Sequence, residues 1–161
     1  MEDAEQLKKR ASILLANYSS GLLIEEFIVG RDIAVPMIEG VSPETGGVLA
    51  PIEYVFDQHI TGARKFQIYD YALKNELSDH VDVRLMDKRD SNFGELMRVS
   101  KVVFEKLGVR DLGRIDYRLT SDGKIYFIEV NALPSLEPGA GIYAAAAQMG
   151  LSKTEQVLQK V

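Results

Sequence analysis

Cysteine is absent from this 161-residue chain, so neither a disulfide nor a zinc-thiolate site can contribute to its fold, which is what a reducing cytosol permits. Long apolar runs are absent as well: no stretch of about 18 uninterrupted hydrophobic residues occurs, and a membrane-spanning helix is not expected. The opening residues Glu2, Asp3, Glu5, Lys8, Lys9 and Arg10 are unlike a secretory signal. Positive charge is not in excess either. With 19 Lys and Arg against 24 Asp and Glu the net charge is −5, which offers no general attraction for a nucleic-acid backbone or an anionic membrane. Repeats, low-complexity tracts and a domain-splitting linker are all missing. A single cytoplasmic domain is expected, with no nucleic acid and no membrane as partner.

What the chain does have is the composition of an ordinary globular protein: 46% of its residues are hydrophobic and 27% charged, enough to build a core and keep a wet surface. A domain of this length buries roughly 70% of the surface its unfolded chain exposes.

Apolar Ala4, Leu7, Ala11, Leu14 and Leu15 recur at helical spacing, predicting an amphipathic helix over residues 2–17 that Ser19, Ser20 and Gly21 end. Residues 22–29 read as a strand. Gly30-Arg31-Asp32 reads as a tight connection to a second strand over 33–38, and a third, over 48–55, follows the turn at Pro43-Glu44-Thr45-Gly46-Gly47. The three are expected to be antiparallel. Residues 57–90 show no sustained period and are expected to form a long loop with short pieces of structure, the kind of loop that often serves function. Asn92 with Glu95 predicts the capped start of a helix whose buried stripe is Phe93, Leu96, Met97, Val103, Phe104 and Leu107, with Gly108 as its stop. Two strands, 113–119 and 124–130, flank Ser121-Asp122-Gly123, a strong hairpin signal. Short helices over 143–149 and after the Ser152 and Glu155 capping box complete the expectation.

The hairpin carries the chemistry. If Asp122 and Gly123 are its two loop residues, Ser121 faces Lys124, and counting outward places Asp116 opposite Glu129 and Arg114 opposite Asn131, all on one face. Directly opposed carboxylates repel, and a cation is the simplest remedy. Oxygen donors from Asp, Glu and Asn suit Mg²⁺, which fills its remaining octahedral positions with water and phosphate. The alternative from geometry alone is a solvated pair neutralised by Arg114 and Arg118.

The strings Gly113-Arg114-Ile115-Asp116 and Glu129-Val130-Asn131, with Pro134 shortly after, resemble the ATP-grasp fold and, within it, the D-alanine:D-alanine ligase family. Leu23-Ile24-Glu25-Glu26-Phe27-Ile28-Val29-Gly30 likewise resembles that family's linker strand. The resemblance implies an α+β fold, the C-terminal ATP-grasp subdomain with a mainly antiparallel sheet flanked by helices, in which residues 1–161 form one catalytic, magnesium-binding domain and 1–20 end the preceding lobe.

It also implies an ATP-dependent carboxylate–amine ligase acting through an acyl phosphate. Asp116, Glu129 and Asn131 would bind Mg²⁺, and Arg114 would stabilise the transferring phosphoryl group and the tetrahedral intermediate. Glu25, Glu26 and Ile28 would meet adenine, Asp32 the ribose hydroxyls and Lys74 an ATP phosphate. Ser135 and Ala140, in the glycine-rich stretch entering a helix, fall where the second amino acid and the oxyanion hole lie. Implied partners are amino-acid or carboxylate substrates and the rest of the parent ligase, with self-association into a dimer left open.

Two departures bear on substrate: Asn75 stands where an aromatic residue is common, and Ala140 where a hydroxyl is usual. The chain also lacks the glycine-rich phosphate loop and the upstream lysines of the family's earlier half, so a folded but catalytically incompetent portion is expected. A ligase for another amino acid or dipeptide, or a noncatalytic nucleotide- or metal-binding module, are the alternatives.

Overall fold

The computed structural model describes residues 3–57, 81–137 and 139–151, together with 157 and 159. Helix α1, Ala4–Asn17, begins at Asp3, whose carboxylate accepts hydrogen bonds from the backbone N–H groups of Glu5 and Gln6. That satisfies donors which a helix start leaves orphaned. None of its residues is buried.

The sheet comprises β1 (Arg31–Ile38), β2 (Ile52–Phe56), β3 (Val81–Leu85), β4 (Leu112–Leu119) and β5 (Ile125–Asn131), in the spatial order β3-β2-β1-β4-β5. Every neighbouring pair is antiparallel. Helix α2, Phe93–Leu107, and helix α3, Gly141–Ala147, complete the described elements apart from a 3₁₀ turn at Pro43–Thr45. The expected α+β architecture is present.

Two clusters of buried residues follow from the alternation of side chains along the strands. Ile33, Val35 and Met37 of β1 pack with Ile115 and Tyr117 of β4 and with Leu96 and Phe104 of α2. Ala34 and Ile38 pack with Ile52, Leu112 and the α3 residues Ile142, Ala145 and Ala146. Each large side chain buried in this way contributes roughly 1.5–3 kcal/mol of transfer free energy. Central β1 therefore reads as an apolar run from Ile33 onward, interrupted by nothing charged.

Several expectations need correction. Residues 22–29 form no strand among the described residues, and Leu23, Ile24 and Val29 are 83%, 60% and 72% exposed: an extended segment becomes a strand only beside a ladder partner. The third expected strand starts later, at Ile52, with only an isolated bridge from Val48 to Met37. Val81-Asp82-Val83-Arg84-Leu85, placed within the loop, is the edge strand β3, and its strict alternation was the available signal. The α2 cap is supplied differently. Asn92 makes no side-chain cap; Asp90 instead accepts from the Asn92 backbone N–H, while Glu95 pairs with Arg98. Leu107 is 56% exposed because Gly108, in the left-handed region, turns the chain away at the helix end. The helix expected over 143–149 starts at Gly141, two residues before Tyr143, and the Ser152 and Glu155 box lies outside the described residues.

Candidate functional site

The β4–β5 hairpin is built differently from the two-residue turn expected of it. Thr120 accepts through its hydroxyl from the Lys124 N–H and donates its own N–H to the Lys124 carbonyl, so Ser121, Asp122 and Gly123 are all loop residues. Gly123 has φ +81°, the left-handed conformation with which a three-residue hairpin loop closes. The register next to this loop is Leu119 with Ile125, Arg118 with Tyr126 and Tyr117 with Phe127. A bulge then intervenes, and beyond it Asp116 pairs with Glu129, Ile115 with Val130 and Arg114 with Asn131. The extra residue is Ile128.

Arg114, Asp116, Glu129 and Asn131 thus share one face, the face that buries Leu112 and Ile52 against α3. Arg114 donates through Nε and Nη2 to the two Asp116 carboxylate oxygens at 2.7 and 2.8 Å, and both side chains are about one-quarter exposed. Burial alone would lower the Arg114 pKa, but the Asp116 hydrogen bonds and charge outweigh it and hold the value above that of a free arginine, with Tyr54 and Glu129 adding to the effect. Asn131 Oδ1 accepts from the Leu133 N–H at 3.0 Å, which orients the amide and leaves a second lone pair.

Asp32 reaches the same face from β1, directly opposite Arg118 on β4, and the two make an ion pair at 3.0 Å. Burial pushes the Asp32 carboxyl up to about 6; Arg118 opposes the rise, while Asp116 and Glu53 add to it. Arg118 also donates to the Gly30 carbonyl at 3.1 Å and stacks over Phe27, 4.9 Å from the ring centroid. Arg118 therefore serves Asp32 and the chain before β1. Register arithmetic across β1 and β4 would have found this pairing, but β1 and β4 are distant in sequence and nothing local pointed to it. Tyr54, opposite Asp32 on β2, was missed for the same reason.

Of the remaining expected residues, Glu25 and Glu26 are exposed and Ile28 half-buried on the segment leading into β1. Ser135, half-buried, accepts at Oγ from the Glu137 N–H at 3.2 Å, and Ala140 precedes α3 without a side-chain cap. Lys74 and Asn75 lie outside the described residues.

As a donor set the face suits a hard divalent ion: two carboxylates on directly paired positions and an amide oxygen beside them. Among the described residues no group of three acidic or histidine side chains makes a closed metal cage. Such a set leaves most octahedral positions to water or phosphate oxygens, and Asp116 would have to share its oxygens between the ion and Arg114.

A family model described as D-ala D-ala ligase C-terminus matches residues 1–161. The chain is 30% identical over 151 residues to a D-alanine--D-alanine ligase of Aquifex aeolicus, a match covering 94% of this chain and 46% of that protein. Among solved structures, the D-alanine--D-alanine ligase of Bacillus anthracis complexed with ATP superposes with a TM-score of 0.66 at 17% identity, over 98% of this chain and 46% of that one. The VanG D-Ala:D-Ser ligase of Enterococcus faecalis does so with a TM-score of 0.59 at 20% identity, over 84% and 36%. Both share the fold. The chain spans about half the length of the curated relatives it matches.

Proposed function

This chain belongs to the D-ala D-ala ligase C-terminus family, and from that membership we propose that its sheet supplies one wall of the magnesium-nucleotide site of an ATP-dependent carboxylate–amine ligase. The observation that carries the reading is the bulged hairpin, which opposes Asp116 to Glu129 and sets Arg114 and Asn131 beside them. Asp116, Glu129 and Asn131 would hold Mg²⁺, and the ion would neutralise charge on the phosphates of ATP. Arg114 is charged at every working pH and forked, so it suits oxygens on which negative charge grows as a phosphoryl group moves to a carboxylate and the acyl phosphate meets an amine. Asp32 would accept from the ribose hydroxyls, and Glu25, Glu26 and Ile28 would flank adenine. Lys74 would reach a phosphate, and Ser135 with the backbone ahead of α3 would receive the second amino acid.

D-Alanine is the first substrate to test, and the fold's occurrence in a D-Ala:D-Ser ligase makes D-serine the second. The test of the site is a titration of the isotope-labelled chain by NMR. Magnesium should shift the amides of Asp116, Glu129 and Asn131, and ATP added with magnesium should shift those of residues 25–32. Silence at both places would defeat the proposal. The chain alone should show no magnesium-dependent ATP turnover, since one wall positions only part of the reacting system; robust turnover would overturn that half of the reading.

A further inference from the structure

The segment 22–29 belongs to no strand among the described residues, yet it carries the groups assigned above to adenine and leads directly to Asp32. Arg118 is where that segment meets the sheet. Its guanidinium stacks on Phe27, donates to the Gly30 carbonyl and pairs with Asp32, three contacts that span six residues of one approach to β1. The side chain is only 10% exposed, and its Cα is locked opposite Asp32 by the β1–β4 register. Close approach at the same point is enforced by Gly30, where a Cβ would lie 2.5 Å from the Leu119 carbonyl oxygen. Two residues along β4 stands Asp116.

We propose that Arg118 is a positioning residue that clasps the segment 22–30 and the Asp32 carboxylate to β4, fixing the nucleoside-binding groups at a set distance from the metal-binding carboxylates. A planar guanidinium is suited to this because it can stack through its face while donating through its edge, which an ammonium cannot do. The reading of Asp32 and residues 25–28 as nucleoside contacts is the one proposed above; the clasp itself stands on the three contacts alone.

The experiment compares the labelled wild-type chain with Arg118→Met, Arg118→Lys and Phe27→Leu. The backbone {¹H}–¹⁵N NOE of residues 22–29 should fall in Arg118→Met and Phe27→Leu, with an intermediate loss in Arg118→Lys, while the amides of β1 and β4 stay as rigid as in wild type. Affinity for Mg-ATP should weaken by roughly tenfold in Arg118→Met, as expected when ordering of a binding segment must be supplied at the moment of binding. The preference for ATP over 2′-deoxy-ATP should shrink with it, a change that general loosening of the fold would not cause. If segment 22–29 is as ordered in the variants as in wild type, the clasp is refuted. Should Arg118→Met fail to fold, Phe27→Leu decides the question, because it leaves every sheet residue in place. A wild-type chain that shows no shift at millimolar Mg-ATP, but whose segment loosens in the variants, sinks the nucleotide reading and leaves the clasp standing.

Discussion

Asp32 is held where two influences pull its proton in opposite directions, and replacing it with asparagine turns that conflict into a measurable slope. Burial beside the β2 and β4 side chains raises its carboxyl from the ordinary 3.8 to about 6 despite the Arg118 ion pair. In the unfolded chain the ordinary value applies. Between the two values the folded state binds more protons than the unfolded state, so the Asp32 contribution to stability is complete below about pH 4 and is lost as the pH rises through about 6. At 1.36 kcal/mol for each tenfold change, the loss is roughly 2 to 3 kcal/mol, with the lower figure appropriate to a side chain that keeps some contact with water. Other carboxylates titrate over the same range, and the exposed Glu39, Asp87 and Asp122 are lowered by their hydrogen-bonding partners, so their contributions have the opposite sign. The comparison must therefore be between proteins. Urea unfolding of wild type and Asp32→Asn, followed by circular dichroism from about pH 3 to about pH 7, should give a stability difference that moves by that amount in favour of the variant as the pH rises. A difference that stays constant over this range would refute the account of Asp32 as a carboxyl whose ionised form the fold disfavours.

Millimolar magnesium should raise the melting temperature of the wild-type chain by a small increment, by mass action on the folded state, and Asp116→Asn should abolish the increment; an unchanged response in the variant would remove Asp116 from the ion's ligands. Gly30→Ala should cost about 1–3 kcal/mol in urea unfolding, because the new methyl group meets the Leu119 backbone and not a side chain that can swing away. An unmoved midpoint would mean that β1 and β4 tolerate a wider separation there. Arg114→Ala, made in an intact ligase that contains this chain, should lower turnover far more than ATP affinity, since the proposed role uses its charge when the phosphoryl group is in flight. Equal effects on both would assign it to ground-state binding.

The parts of the fold that were legible in the sequence are those specified locally. Helix α2 announces itself through Leu96 and Phe104 at helical spacing and through Gly108 in the left-handed region. The β4 and β5 strands announce themselves by the Asp-Gly turn between two strand-forming runs. What was hidden depends on partners remote in sequence. Residues 22–29 have strand-forming side chains, but propensity does not supply the neighbour that a ladder requires. The Asp32 and Arg118 pair, joined by the alignment of β1 with β4, is invisible to any window that contains only one of them. Val81–Leu85 is the converse case, where a clean alternation was outweighed by its polar surroundings.

The carboxylate pair itself was placed correctly on an incorrect count. A two-residue loop would bring Asp116 and Glu129 together with no further adjustment. The actual loop has three residues, which on its own would set Asp116 opposite Ile128 and turn Glu129 to the face that carries Ile115 and Tyr117. That face is the apolar cluster under α2, where an unpaired carboxylate is strongly disfavoured. The bulge at Ile128 restores the register in one step: Phe127 remains beside Tyr117, with the rings edge to face at 6.2 Å, while Glu129 passes to the other side beside Asp116. Both neighbours of Ile128 are thereby suited to their surroundings, and Ile128 is left half exposed at the edge of the sheet. The bulge thus sets two like charges side by side where a regular three-residue hairpin would have turned one of them toward the apolar cluster under α2, an arrangement consistent with the proposal that the two carboxylates act on one ion.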